Sequence, residues 1–140
     1  MVPTYKSSFP GPRTRIPTIL VVEDEALLRV AISNYLLECG FAVLEAGDAA
    51  EAIETLKADK AEIDVVFTDI LMPGEMDGFG LAQWIWDHRP GLPVILTSGD
   101  AQKVEVAKHL CAGHPFFAKP YNVRQVSTQI RALIEAKGRT

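Results

Sequence analysis

The chain has 140 residues, which favours one domain of ordinary size, and 48% of them are apolar, enough to fill one core without a disulfide or metal staple. A net charge of −4 gives no general affinity for nucleic acid or acidic membranes, and no apolar run approaches the length of a membrane span. Cys39 and Cys111 lack CxxC spacing and sit in apolar, helix-like surroundings; they read as small thiols in a reducing cytosol.

Residues 1–16 are expected to be a mobile tail. Pro3, Pro10, Gly11 and Pro12 break any periodicity, Pro17 closes the segment, and its charges are Lys6, Arg13 and Arg15. It holds no apolar core of a secretory signal. Ile19-Leu20-Val21-Val22 then reads as a short buried strand ending in Glu23 and Asp24. Helical spacing follows, with Leu28, Ala31, Ile32, Tyr35, Leu36 and Cys39 on one face and Gly40 as the stop. Phe41-Ala42-Val43-Leu44 is the second strand. Asp48 reads as an N-cap, with Glu51 completing a capping box for a helix that buries Ala49, Ala52, Ile53 and Leu56. After a polar connection at 57–62, a third strand is expected from Asp64 to Asp69, whose fully apolar run Val65-Val66-Phe67 carries one carboxylate, Asp69, to its end.

Pro73 to Gly78 is a turn-rich loop, and a helix resumes near Phe79 with Leu81, Ala82, Ile85 and Trp86, ending before Pro90. Trp84 and Trp86 cannot both face the core of that helix. Pro93-Val94-Ile95-Leu96 is the fourth strand, leading into Thr97-Ser98-Gly99. The segment 101–112 is a weakly patterned helix, Pro115-Phe116-Phe117-Ala118 is the fifth strand, and it ends in Lys119-Pro120. The last helix starts near Asn122, buries Val126, Ile130, Leu133 and Ile134, and stops at Gly138. Strand and helix alternate five times with crossovers long enough to hold a helix. The expected fold is therefore α/β, one doubly wound domain over 17–138 with a five-stranded parallel sheet.

In such a sheet every carboxyl end lies on one edge. Glu23, Asp24, Asp69, Thr97 and Lys119 therefore converge. Acids in one pocket repel and raise one another's pKa values, and a hard divalent cation such as Mg²⁺ resolves this through oxygen ligands. Lys119 suits a phosphoryl group, and a carboxylate beside a divalent ion and a lysine is equipped to be a nucleophile that forms an acyl phosphate. Each residue also has a plainer reading: Glu23 and Asp24 as helix caps, Asp69 as a turn former, Lys119 as a solvated lysine. Four coincidences at one sheet edge are less economical than one shared site.

These residues resemble the response-regulator receiver domain of bacterial two-component signalling over roughly 18–137. Val21-Val22-Glu23-Asp24-Glu25 resembles its acidic pair after the first strand. Thr68-Asp69-Ile70-Leu71-Met72-Pro73-Gly74 with Met76-Asp77-Gly78 resembles its phosphoacceptor motif, Leu96-Thr97-Ser98 its switch hydroxyl, and Phe116-Phe117-Ala118-Lys119-Pro120 its fifth strand. The resemblance implies a flavodoxin-like (βα)5 fold with strand order 2-1-3-4-5. It implies that Asp69 accepts a phosphoryl group from a histidine kinase or histidine phosphotransfer protein. Glu23, Asp24, Asp69 and the backbone carbonyl of Leu71 would hold Mg²⁺ or Mn²⁺, and Lys119 would contact the phosphoryl oxygens. Thr97 and Phe116 would switch together, and Lys119-Pro120 would be cis. Glu75 lengthens the usual loop by one residue, and Phe116 lacks the hydroxyl of the Tyr found in many relatives. Leu71 and Gly99, two residues past Asp69 and Thr97, stand where the family tunes hydrolysis and offer no group to orient water.

The expected protein is a cytoplasmic, stand-alone receiver with no output domain, read by a downstream protein whose identity stays open, as monomer or homodimer. Its responsive surface would combine the 101–112 helix, the fifth strand and the last helix. Two alternatives are an interaction module independent of phosphorylation and an Asp-nucleophile, Mg²⁺-dependent phosphatase of the haloacid-dehalogenase type. The phosphatase needs a second acid two residues past the nucleophile, where this chain has Leu71. His88, His109 and His114 share no metal-ligand spacing, and Gly74, Gly78 and Gly80 form neither a dinucleotide nor a P-loop pattern.

Overall fold

A computed structural model describes residues 15–58, 62–100, 103, 105–106 and 114–138. The expected tail at 1–16 falls outside these residues except for Arg15 and Ile16. Five strands run β1 Thr18–Val22, β2 Ala42–Ala46, β3 Val65–Asp69, β4 Val94–Ser98 and β5 Phe116–Ala118. They pair in parallel, as the alternating pattern requires, and in the order β2-β1-β3-β4-β5 that the resemblance implies. Among the described residues four helices complete the fold: α1 Ala26–Glu38, α2 Ala49–Lys57, α3 Gly78–His88 and α4 Val123–Gly138. Lys103, Glu105 and Val106 are helical too, and the rest of the expected 101–112 helix, with Cys111 and His109, lies outside the described residues.

Successive strand residues point to opposite faces of a sheet, and the central strands are apolar on both. Leu20, Val22, Val66, Val94 and Leu96 pack with α2 and α3 on one side. Ile19, Val21, Val65, Phe67 and Ile95 pack with Ile32 and Leu36 of α1 and with Val126, Ile130 and Ile134 of α4 on the other. This double burial is why β1, β3 and β4 are legible as continuous apolar runs.

The edges differ from expectation. β2 runs two residues beyond the expected Leu44, to Ala46, and Phe41 precedes it although buried. As an edge strand it leaves Leu44 and Glu45 exposed, so the apolar run does not mark its end. β4 extends past Leu96 to include Thr97 and Ser98, both buried. On α1 the buried arc is centred on Ile32, Ser33 and Leu36, whereas Ala31, expected inside, is exposed.

The helix ends follow their sequence signals with one variation. Gly40 has φ 97°, the left-handed conformation expected just past a helix. Asp48 accepts the Glu51 backbone N–H at 2.8 Å, but the Glu51 carboxylate returns to the N–H of Gly47 at 3.2 Å, one residue earlier than in the expected capping box. Asp77 caps α3 by accepting from Gly80 N–H at 2.9 Å, and Asn122 accepts from Arg124 and Gln125 at the start of α4. At the opposite end of the sheet Arg15 makes a two-pronged pair with Asp64, 2.8 Å on each arm, and Asp64 also accepts the Thr18 N–H at 2.7 Å. Trp84 and Trp86 are both half-buried; each stacks on a histidine, His88 and His114 respectively, at 4.3 and 4.5 Å between ring centres.

Candidate functional site

Three parallel strands deliver their last residues to one edge. β3 and β4 pair with Asp69 opposite Thr97, and β4 and β5 pair with Ser98 opposite Ala118. The ladder continues past the strands: Ile70 N–H donates to Thr97 O at 2.9 Å, and Lys119 N–H donates to Ser98 O at 2.9 Å. Asp69 and Lys119 are therefore placed by backbone counting before any side-chain preference operates. β1 ends one residue before Glu23, whose N–H donates to Ala46 O of β2 at 3.0 Å.

The side chains meet as the strand ends suggest. Lys119 Nζ donates to Glu23 Oε1 at 2.8 Å and to Asp69 Oδ2 at 2.9 Å. The second oxygen of Glu23, Oε2, accepts the Glu25 N–H at 3.2 Å. Glu23 and Asp69 are buried and Asp24 is exposed, and one carboxylate oxygen from each lies within 4.8 Å of the others. The N-cap of α1 is Glu25 rather than Glu23 or Asp24, and it makes no side-chain cap bond. The expected site residues Glu23, Asp24, Asp69 and Lys119 thus share one cluster, and Lys119-Pro120 is cis as expected.

Thr97 is buried, and its hydroxyl is without a hydrogen-bond partner. Phe116 is half-buried against the α2 and α3 side of the core. The Leu71 side chain is 46% exposed, and so leaves an apolar surface rather than a proton donor two residues past Asp69. Gly99 packs against the Lys119 stem, where a Cβ would sit 3.7 Å from Lys119 Cβ.

The charges have a readable balance. Burial alone would lower the Lys119 pKa, but hydrogen bonds to Glu23 and Asp69 override it and hold the ammonium above the usual lysine range. Glu23 is pushed up by burial; Lys119 and the Glu25 N–H offset this only in part, and the Asp69 charge adds to it. Tyr121 is pushed up to about 12, by burial first and then by the Glu23 charge. Its ring meets Phe67 edge-on at 5.4 Å, and it lines an open groove of about 580 Å³ with Leu28, Ala31, Tyr35 and Pro120.

Three contributors have no role of their own assigned from the sequence, although Gly78 closes the Met76-Asp77-Gly78 piece of the resemblance. Gly78 reads there as a loop glycine, but its backbone is pressed against the end of β3. A Cβ on it would lie 2.2 Å from Asp69 O and 2.6 Å from Ile70 Cα, while its N–H donates to Ile70 O at 2.8 Å. Arg29 donates from Nη1 to the Glu23 carbonyl at 2.7 Å and pairs through Nε with Glu45 at 3.1 Å. Tyr121 is the third. Nothing in the spacing singles out Arg29 or Tyr121, because their contacts exist only after folding.

The donor set is all carboxylate oxygen, which suits a hard cation of the Mg²⁺ or Mn²⁺ class over a thiolate- or imidazole-seeking metal. Its closeness fits such an ion: three carboxylates at this spacing repel unless positive charge joins them, and Lys119 supplies one such charge, to Glu23 and Asp69.

Comparison with known proteins agrees with this geometry. Residues 19–131 match the response regulator receiver domain, so the chain belongs to that family. It is 33% identical over 124 residues to the "Probable transcriptional regulatory protein TcrX" of Mycobacterium tuberculosis, covering 88% of this chain and 52% of that protein. It is also 33% identical over 120 residues to sensor kinase CckA of Brucella abortus, covering 84% of this chain and 12% of that one. The chain thus spans about half the length of the first relative and a small part of the second. Among solved structures, a response regulator receiver protein from Sinorhizobium medicae superposes with a TM-score of 0.78 at 30% identity, covering 89% of this chain and 99% of the other. Fold and family together make the chain a phosphoacceptor signalling module of the two-component type. No helix among the described residues is long and apolar enough to cross a membrane.

Proposed function

We propose that Asp69 is the phosphoacceptor of this receiver, and that residues 17–138 form a cytoplasmic switch loaded by a histidine kinase or a histidine phosphotransfer protein. The observation that carries the reading is the Lys119 ammonium, held 2.9 Å from Asp69 and 2.8 Å from Glu23 at the sheet edge. Glu23, Asp24, Asp69 and the backbone carbonyl of Leu71 would hold Mg²⁺, which when bound supplies charge neutralisation for an incoming phosphoryl group. An Asp69 carboxylate oxygen attacks the phosphorus of a phosphohistidine; the P–N bond breaks, the imidazole leaves with the electron pair, and an acyl phosphate remains. Lys119 then turns from the carboxylates to the phosphoryl oxygens. The unpartnered Thr97 hydroxyl has a hydrogen bond to gain in that state and none to lose. Its movement frees space for the half-buried Phe116 to turn inward, and packing alone separates the two Phe116 positions because the ring has no hydroxyl.

Leu71 supports storage of the phosphoryl group over repeated hydrolysis, since an exposed leucine cannot serve as the general acid of an Asp-nucleophile phosphatase. Incubation with acetyl phosphate and Mg²⁺, followed by intact-mass measurement, tests the assignment. One added phosphoryl mass on the wild type and none on Asp69→Ala is the expected result. No added mass on the wild type would favour an interaction module independent of phosphorylation, and mass retained on Asp69→Ala would move the acceptor elsewhere.

A further inference from the structure

We propose that Arg29 is a positioning residue for the divalent-cation site, holding the peptide that aims Asp24; this rests on the reading that Glu23, Asp24 and Asp69 bind the cation. Glu23, Asp24 and Glu25 are three consecutive acids in the turn between β1 and α1. Their charges repel, and the helix they lead into gives the turn little help. Its N-cap makes no side-chain bond and its first turn holds no acid. Asp24 is exposed, so the reach of its carboxylate is set by where its backbone places the Cβ.

That backbone is gripped at Glu23 from both directions. The Glu23 N–H is tied to Ala46 O at 3.0 Å, which anchors it to β2. The Glu23 carbonyl, one end of the peptide joining Glu23 to Asp24, accepts from Arg29 Nη1 at 2.7 Å. The guanidinium is itself oriented by Glu45 of β2, 3.1 Å from Nε. Arg29 stands in the first turns of α1, where its own N–H donates to Glu25 O at 2.9 Å. One planar fork therefore ties the carbonyl before Asp24 to α1 and to β2 at once. A lysine, with a single point of charge on a flexible stem, cannot hold both partners in the same fixed geometry.

The sign of the effect distinguishes positioning from charge. A guanidinium beside a cation site repels the cation, so removing it strengthens binding if charge is all that matters. Loss of an outer-shell partner that orients a ligand weakens metal binding, typically ~10–100-fold. The test is titration with Mn²⁺, read from the paramagnetic resonance signal of the free ion, at a temperature where every variant is folded. Melting in the presence of a chelator reports folding separately. Arg29→Ala and Arg29→Lys should each weaken Mn²⁺ binding by about tenfold, and Glu45→Gln by less, because the Glu23 carbonyl contact survives. Should Arg29→Ala fail to fold, Arg29→Lys and Glu45→Gln carry the same comparison. Wild-type or tighter binding by the Arg29 variants overturns the proposal, as does a lowered melting temperature with unchanged affinity, which is what a merely structural role produces. If wild type binds no Mn²⁺ that Asp24→Ala abolishes, the cation reading fails and this inference with it; an Asp24-dependent site indifferent to Arg29 removes the inference alone.

Discussion

Replacing Lys119 by methionine keeps the length of the side chain and deletes the ammonium that joins Glu23 to Asp69. The carboxylates it leaves are nearly closed off from water, their side chains 5% and 7% exposed, while the lysine is 22% exposed. Removing one partner of a buried pair costs ~3–5 kcal/mol. Screening at the partly open ammonium reduces this, and the two contacts share one charge, so we expect a loss of about 2–3 kcal/mol at neutral pH without metal. For a chain of this size that is a fall of roughly 8–12 °C in melting temperature. The pH dependence has a definite sign. Burial already raises the Glu23 pKa, and the Lys119 hydrogen bond that partly lowers it disappears. A carboxyl raised in the folded state binds its proton more tightly there. Its contribution is fully present below the ordinary Glu value and is lost as pH rises through the folded value. The deficit of Lys119→Met should therefore be largest near neutrality and close in acid. Saturating Mg²⁺ should close it as well, because the cation replaces the missing charge. Thermal melts of both proteins across pH, with Mg²⁺ and with chelator, provide the measurement. A deficit of the same size under all these conditions, or none at neutral pH, would refute the electrostatic account of the site.

Other outcomes follow from the same geometry. Thr97→Val should raise the melting temperature of the unphosphorylated protein by a few degrees, since a buried unpartnered hydroxyl costs ~1 kcal/mol or more; a fall of that size would show the hydroxyl to be satisfied. Gly78→Ala should lose about 3 kcal/mol or more, because the new Cβ meets backbone at 2.2 Å with no side chain to give way, and wild-type melting with wild-type phosphorylation would contradict it. Tyrosinate absorbance should place the Tyr121 ionisation at about 12, with alkaline stability lost as pH rises from the ordinary tyrosine value through that point; a normal titration would mean that the ring is not buried. Leu71→Asn should shorten the lifetime of the phosphorylated form by supplying a polar group beside the acyl phosphate, and an unchanged decay would argue that Leu71 does not set it.

How much of this was legible depended on whether the responsible interaction was local in the chain. β1, β3 and β4 announce themselves because both faces are buried, and their carboxyl ends place Glu23, Asp69 and Thr97 together without further information. β2 was misjudged at both ends because an edge strand need not be apolar: Leu44 and Glu45 face water. The α1 face was shifted because Ser33, a polar residue, occupies the buried arc that Ala31 was expected to fill. Asp48 caps its helix as expected, whereas the Asp77 cap of α3 lies inside what reads as a turn-rich loop. The roles of Arg29 and Gly78 were not legible because what they meet, Glu23 O for Arg29 and the Asp69–Ile70 backbone for Gly78, consists of backbone atoms, to which no sequence pattern points.

The pairing of Asp69 with Thr97, and of Ser98 with Ala118 just before Lys119, also divides the chain into segments that tolerate editing and segments that do not. Parallel strands advance in whole residues, so one residue removed from β3 would turn Asp69 to the opposite face of the sheet, and no adjustment of rotamers could restore it. The connections obey no such arithmetic. The loop from Ile70 to Asp77, Glu75 included, lies between Asp69 and α3, and the ladder that places Asp69, Thr97 and Lys119 does not run through it. A loop beside the cluster can therefore change length, and with it the surface a partner meets, without altering the distance between acid and ammonium that the ladder sets.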